Sequence, residues 1–314
     1  MAAGQGSRVL VTGGAGFIGR RLVQALLDSG AEVTVADQHE PAAAGIRTVI
    51  GDLRDPAVAA QAVGPGTDVI VHLAAVTSVL RSIEDPVGTY QTNVAATAEL
   101  LELARTRGVG TFLLASTNAV VGDVGSAVIT EQQPARPLTP YGATKAAGEM
   151  MLSCYSAVYG IAGCALRFSN VYGPGMAAKD SFVPRLMRAA AGGHGVQVYG
   201  DGTQARDLVH VDDIVAGILL AWRASCRGPL ILGAGEPVTV NDIIAAARAV
   251  TGAPIPADYV PAKPGEMPAV IVDISAARAL GYRPTHDLKS GLATVWPEFA
   301  PHAAAEGRQH SDQS

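Results

Sequence analysis

The sequence predicts a doubly wound α/β fold, a parallel sheet with helices on both faces, joined to a smaller, interleaved C-terminal α+β lobe. Three observations carry this. Short β-branched runs alternate with helix-length segments up to Asn170, a glycine triplet separates the first strand from the first helix, and beyond Asn170 the rhythm breaks into short pieces punctuated by Gly and Pro. Strand, helix, strand repeated in this way gives parallel strands joined by right-handed crossovers. The chain of 314 residues exceeds one average domain, and with 48% hydrophobic and 16% charged residues it can bury a large core.

Taken in order, strands are expected at 8–12, 32–36, 48–50, 68–73, 111–116 and 163–167, where β-branched and apolar residues cluster. Helical spacing fills 17–29, 55–63, 87–107 and 141–159. Later, Gly173-Pro174-Gly175, Gly192-Gly193, Gly200-Asp201-Gly202, Gly233-Ala234-Gly235 and the 261–268 segment mark turns between helices expected at 181–191 and 240–251 and strands expected at 208–211 and 230–232. The domain reading is a first domain over 1–170, to which strands from about 205–250 return, a ligand-binding lobe over 171–302, and a frayed polar tail over 303–314.

Charge and composition remove several function classes. A formal net charge of -5 argues against nucleic acid, whose phosphates call for a basic surface, so a small-molecule ligand is expected. No apolar run approaches the ~20 residues needed to span a bilayer, and the N-terminus lacks a basic, then apolar, leader pattern. A cytoplasmic protein with no membrane partner is expected. Cys154, Cys164 and Cys226 form no CxxC pair and leave an odd thiol, which reads as buried, reduced cysteines with neither disulfide nor metal. Trp222, Trp296, Met150, Met151 and Met187 read as core or rim packing, and His210 as structural. Lysine stands only at Lys145, Lys179, Lys263 and Lys289, so each lysine poses a question.

The first chemical signal is Gly13-Gly14-Ala15-Gly16-Phe17-Ile18-Gly19, set between a strand and a helix. In that context Gly13 permits a tight turn, Gly16 lets the backbone approach a pyrophosphate, and Gly19 lets the helix sit close to the sheet. The diphosphate rests on N–H groups at the positive helix end, where Phe17 and Ile18 open the first turn. A plain Gly-rich turn is the alternative. Asp37 weakens it, because an acid ending the second strand is placed to accept hydrogen bonds from an adenosine ribose. Its charge repels a 2′-phosphate, which favours NAD over NADP. Asp52 and Leu53, after the third strand, are weaker candidates for the adenine rim.

The second signal is Tyr141-Gly-Ala-Thr-Lys145 at the start of a helix. The i,i+4 spacing puts phenol and ammonium on one face. A phenol near pKa 10 is a poor base, but a lysine cation and a positive nicotinamide ring both favour phenolate, and Tyr141 can then take a proton from a substrate hydroxyl as hydride leaves the same carbon. The spacing alone is common by chance; its place after the fifth strand of a nucleotide-binding sheet strengthens it.

Together the Thr12 to Gly19 run, Asp37, His72-Leu73-Ala74-Ala75, Asn93, Ser116-Thr117, the Tyr141 to Lys145 run and Arg167 to Gly175 resemble the extended short-chain dehydrogenase/reductases that act on nucleotide sugars, over about Arg8 to Trp296. The resemblance implies a Rossmann domain binding NAD. It implies that Thr117 hydrogen-bonds the reacting C4 oxygen, that Lys145 bonds the nicotinamide ribose and lowers the Tyr141 pKa, that Leu73, Ala74 and Ala75 line the cofactor, and that Asn93 steadies the backbone beside it. In the second half it implies that Asn170 and Arg206 meet a sugar diphosphate, that Ser181 contacts the substrate, and that Val198 and Tyr199 hold the nucleobase. Lys263 falls where the family often has arginine, with Glu266 as the acid meeting the nucleotide ribose; lysine keeps the charge but loses the bidentate fork. Arg81 either grips a substrate carboxylate or pairs with Glu84 at the surface. A homodimer through the 87–107 and 141–159 helices is the partner the resemblance implies.

The neighbours of Thr117 separate the chemistries that share hydride abstraction at C4. The 4,6-dehydratases of the family look like Thr-Asp-Glu here, since loss of water needs an acid and a base. This chain has Thr117-Asn118-Ala119, neither of which is an acid. The leading expectation is therefore an NAD-dependent nucleotide-sugar 4-epimerase, on a UDP-hexose, passing through a 4-keto intermediate. A nucleotide-4-ketosugar reductase, a dehydrogenase of a small hydroxy or amino acid, and an inactive dinucleotide-sensing regulator stay open.

Overall fold

The computed structural model describes residues 4–262 and 269–300. In chain order its elements are β1 (Arg8–Thr12), α1 (Phe17–Asp28), β2 (Glu32–Asp37), β3 (Arg47–Ile50), α2 (Pro56–Ala62), β4 (Val69–His72), α3 (Val79–Glu84), α4 (Pro86–Tyr90), α5 (Ala96–Arg107), β5 (Thr111–Thr117), β6 (Val128–Ile129), α6 (Pro140–Tyr159), β7 (Ala162–Phe168) and β8 (Asn170–Tyr172). There follow α7 (Phe182–Gly192), β9 (Val196–Tyr199), β10 (Ala205–His210), α8 (Val211–Arg223), β11 (Gly228–Leu232), β12 (Pro237–Thr239), α9 (Val240–Thr251), β13 (Ala257–Val260), β14 (Ile271–Val272), α10 (Ser275–Ala279) and α11 (Leu288–Val295).

Seven strands form one sheet in the order β11-β7-β5-β4-β1-β2-β3, every neighbouring pair parallel. Because helices cover both faces, the central strands are buried throughout: all four residues of β4 and all seven of β7 lie out of water, His72 and Arg167 among otherwise apolar neighbours. One buried cluster collects Val9, Val11, Leu22, Leu26 and Leu166; the other collects Leu10, Ile70, Leu100, Phe112 and Leu114. Alternation along β1 sends Leu10 to one cluster and Val9 and Val11 to the other.

The chain divides into two compact units. The first comprises Met1–Val171, Ala205–Pro237 and Met267–Thr285 and the second Tyr172–Gln204, Val238–Glu266 and His286–Ser314, as far as their residues are described. The return to the first unit thus stops at Pro237 rather than near 250, and a segment after 266 also belongs to it. In the second unit β13 pairs with β9 in parallel, and α9 packs with α7 and α11. Thr239 and Asp242 cap α9 reciprocally, side chain to backbone at each end of the box.

Three expectations change. The helix foreseen over 87–107 is continuous through α4 and α5, but it widens into a π-helical turn at Gln91–Ala95 between them. Met150 is 63% exposed rather than packed. Of the cysteines, Cys164 is buried, Cys226 half-buried and Cys154 exposed, because Cys154 lies on the outer face of α6; Cys164 and Cys226 share a side-chain hydrogen bond. Trp222 and Met187 are buried as expected. No helix among the described residues is long and apolar enough to cross a membrane.

Candidate active site

The chain leaves β1 for β2 and β3 on one side, then crosses to β4, β5, β7 and β11 on the other. This reversal opens a crevice at the C-terminal ends of β1 and β4, where open α/β sheets take their ligands. Thr12, His72 and Thr117 end the three strands there.

The glycine turn sits at the end of β1. Gly13 has φ +72°, and a Cβ on it would stand 2.8 Å from the Ala74 nitrogen. Gly19 is needed for a reason other than helix-to-sheet packing: a Cβ there would run into the Gly13 carbonyl and come within 2.7 Å of the Gly14 Cα, so it is the turn itself that it would break. Gly14 was not singled out by the sequence, yet a Cβ on it would meet Val35 at 2.6 Å. Gly16 caps α1 with no side chain, and the first turn carries no acid, so the positive helix end is left for an anion.

Asp37 does more than wait for a ribose. Its Oδ2 accepts from the Ala15 N–H at 3.0 Å and its Oδ1 from the His39 N–H at 3.0 Å, which ties the end of β2 to the glycine turn. A carboxylate has about four acceptor sites, so two remain for hydroxyl donors. Asp52 pairs with Arg54 at Nε, 2.9 Å, and the guanidinium holds its carboxyl below the usual range. Asp52 and Leu53 line a cleft of about 640 Å³ with Arg54, Gln91, Ala95 and Glu99.

Behind the crevice His72 is fully buried, between the Thr12 hydroxyl at 2.6 Å and the Thr97 hydroxyl at 2.9 Å. Burial pushes its pKa down to about 3, so the imidazole is neutral. Thr12 also accepts from the Ala74 N–H at 3.2 Å, which fixes the turn leaving β4. Asn93, inside the π-helical turn, accepts from the Val76 N–H at 2.8 Å and donates to the Val76 carbonyl at 3.0 Å and to Thr144 at 3.1 Å. It thereby joins the segment after Leu73, Ala74 and Ala75 to α6.

Thr139 caps α6 and Pro140 occupies its first turn, so the helix begins at Tyr141's doorstep. Ser82 accepts the Tyr141 N–H at 3.1 Å. The Tyr141 phenol is pushed up by burial and held down by a side-chain hydrogen bond with Thr117. Lys145 is buried, and its ammonium donates to the Ala115 carbonyl at 2.9 Å. Burial brings its pKa down to about 8, opposed by the Glu149 carboxylate. The causes at work on the phenol are thus burial and Thr117, while the Lys145 ammonium serves β5.

The comparisons with known proteins agree with this geometry. The sequence profile of the NAD-dependent epimerase/dehydratase family matches residues 9–231. This chain belongs to that family. It is an NAD-dependent enzyme, and NAD is its cofactor. It is 32% identical to a UDP-glucose 4-epimerase of Corynebacterium glutamicum, over 92% of this chain and 94% of that protein. It is also 32% identical to a dTDP-glucose 4,6-dehydratase of Streptomyces griseus, over 94% and 95%. The crystal structure of Thermus thermophilus UDP-glucose 4-epimerase in complex with NAD matches with a TM-score of 0.85 and 33% identity, covering 93% of this chain and 98% of that one. The uncapped glycine turn and the two open acceptor sites on Asp37 fit the cofactor this family uses.

The remaining residues of this epimerase/dehydratase family member lie as follows. In the first unit Asn170 donates through Nδ2 to the Asp207 carbonyl at 3.1 Å, and the half-buried Arg206 donates to the Ala205 carbonyl at 2.8 Å. The Asp207 carboxylate accepts from Ser169 and from the Ala234 and Gly235 N–H groups, so it braces this corner. Arg81 is exposed on α3 and forms no ion pair with Glu84 among the described residues. In the second unit Ser181 is exposed at the start of α7. Val198 is 2% exposed, since strand alternation turns it inward with Val196, so its side chain belongs to the core of that unit. Tyr199 lines a cleft of about 300 Å³ with Phe182, Arg185, Arg188 and His194. Lys263 and Glu266 lie outside the described residues.

Proposed function

We propose that this enzyme is a nucleotide-sugar 4-epimerase acting on a UDP-hexose through a 4-keto intermediate. The observation that carries the reading is the Thr117 hydroxyl beside the Tyr141 phenol, with Asn118 and Ala119 next in the chain. The site has a hydroxyl and a phenol where a sugar hydroxyl can exchange its proton, and beside them an amide and a methyl that cannot drive loss of water. Relatives named as epimerases and as dehydratases match at the same 32% identity, so the support for an epimerase comes from these two side chains.

NAD, when bound, supplies reversible hydride acceptance at C4 of the sugar. The glycine turn at Gly13, Gly16 and Gly19, with Asp37, holds its adenosine half; Phe17, Ile18, Leu73, Ala74, Ala75 and the Asn93-braced backbone border it. Tyr141 takes the 4-hydroxyl proton and returns it to the same oxygen after the sugar turns over. Thr117 orients that oxygen. Lys145, swung from the Ala115 carbonyl to the cofactor ribose, offsets the burial that otherwise keeps the phenol protonated. Arg206 and Lys263 neutralise the diphosphate, which Asn170 also meets, Glu266 meets the nucleotide ribose, and Ser181 and Tyr199 contact the nucleotide.

The test is incubation of NAD-loaded protein with UDP-glucose, UDP-N-acetylglucosamine and UDP-glucuronate without added reductant. Inversion at C4 of at least one is expected. No inversion of any overturns the reading; a 4-keto-6-deoxy product selects a dehydratase, and stoichiometric consumption of NADH with a 4-keto sugar selects a reductase. Turnover of UDP-glucuronate that falls in Arg81→Ala assigns Arg81 to the carboxylate. We also propose a homodimer, supported by Val87, Tyr90, Met150, Val158 and Tyr159, which stand at least half exposed on α4 and α6.

A further inference from the structure

Helix α6 carries Tyr141, Lys145 and Glu149 four residues apart, on one face, against three consecutive residues of β5. Tyr141 bonds Thr117, Lys145 bonds the Ala115 carbonyl, and the Ser116 hydroxyl donates to Glu149 Oε1 in a short hydrogen bond. Ser116 is the register neighbour of Arg167 on β7. Arg167 closes on the same carboxylate with Nε at 3.0 Å and its terminal nitrogen at 2.8 Å. Both side chains are nearly out of water, at 6% for Arg167 and 12% for Glu149.

We propose that Glu149 is a positioning residue for the Tyr141–Lys145 pair: it closes a third rung between α6 and β5 and supplies the negative charge that keeps the buried Lys145 ammonium charged. An ion pair between Glu149 and Arg167 alone would be a structural clasp. The placement one turn from Lys145 makes it more, because a buried cation depends on the charge nearest to it.

The other groups around Lys145 do not supply that charge. Tyr141 is a neutral phenol, His72 on β4 is a neutral imidazole, and Arg167 on β7 is a cation. Strand β5 has no ionisable residue. On α5, Glu102 is taken by Arg105 and Tyr155, and Arg81 and Glu84 on α3 are exposed. Glu131, whose carbonyl accepts from Arg167, turns its carboxylate to the Ile231 N–H, and Glu149 is the carboxylate whose interaction opposes the burial that brings the Lys145 ammonium down to about 8.

The inference rests on Tyr141 and Lys145 as the reacting pair, and its test reads Lys145 without substrate. NAD-loaded protein is labelled with carbon-13 at the lysine ε-carbon; lysine stands at only four positions, and Lys145→Arg assigns its signal. The Lys145 titration midpoint is expected to fall by about one pH unit in Glu149→Gln, which keeps a hydrogen-bond acceptor but loses the charge, and to rise by a similar amount in Arg167→Gln. An unmoved midpoint in Glu149→Gln, or movement in the same direction in both variants, overturns the proposal. If Glu149→Gln does not fold, Glu149→Asp, which retracts the carboxylate by one methylene, is expected to lower the midpoint part-way, and an unmoved midpoint there overturns it equally. In turnover, Glu149→Gln is expected to lose roughly tenfold in kcat with KM within about twofold; a KM effect alone counts against it. Full activity in Tyr141→Phe would remove the catalytic reading of the pair and leave the lysine titration standing as a separate result.

Discussion

Tyr141, Asp37 and His72 each place a testable consequence on one side chain. If Tyr141 is the proton acceptor, Tyr141→Phe keeps the fold and lowers turnover by about 10²–10⁴, the usual worth of a positioned general base; melting temperature and product formation, measured together, check both halves. Asp37 both clamps the Ala15 N–H and bears the charge that repels a 2′-phosphate. Asp37→Ser is therefore expected to weaken NAD by about tenfold and to narrow its advantage over NADP, read by titration calorimetry with each. For His72 the pH dependence follows from burial. Its pKa stands near 3 in the fold against 6.5 in the unfolded chain, so below 6.5 the unfolded state binds the proton that the folded state refuses, and stability is lost as pH falls from 6.5 towards 3. Urea unfolding at about pH 7 and about pH 5 is expected to show a smaller acid loss in His72→Gln than in the parent, although that variant starts lower through its broken bonds to Thr12 and Thr97.

The elements differ in how far their own residues settle them. The run 8–12 reads as a strand from its own residues, because Val9, Leu10 and Val11 alternate between two buried clusters, and it is β1 to the residue. The segment 87–107 reads as one helix by periodicity, and it is one, except that a turn within it is widened. Asp85 and Pro86 start a fresh turn, and Asn93 is held to the Val76 backbone, which lies 17 residues away and which no local pattern announces. The wider π-helical turn is the form the helix takes around that attachment. Helix α8 carries its own start and stop signals: His210 caps it, Asp212 and Asp213 sit in its first turn and Arg223 in its last. At the glycine turn, Gly19→Ala is expected to cost about 1–3 kcal/mol through the forced shift of Gly13 and Gly14, and NAD affinity should drop on the order of tenfold or more. Equal NAD affinity in that variant would show that the turn has slack the geometry denies.

For the molecule as a whole, the exposed apolar residues of α4 and α6 bear on assembly. Val158 and Met150 are 64% and 63% exposed, and with Tyr159 they are the apolar side chains of α6 that a partner surface would cover. Val158→Glu together with Met150→Glu is expected to convert a dimer to a monomer in sedimentation equilibrium without changing the melting temperature of the monomeric fold by more than a few degrees; a monomeric parent would dispose of the dimer at once.

The sequence by itself determined the sheet class, the glycine turn, Asp37 and the Tyr141–Lys145 spacing, because each is written in a local period or a short motif whose physics needs no distant partner. Only the tertiary structure decided that Gly19 protects the turn, that Val198 is core, and that Ser116, Glu149 and Arg167 converge beside Lys145. Those facts depend on register between strands and on which helix face meets which strand, and these are fixed by packing among residues far apart in the chain.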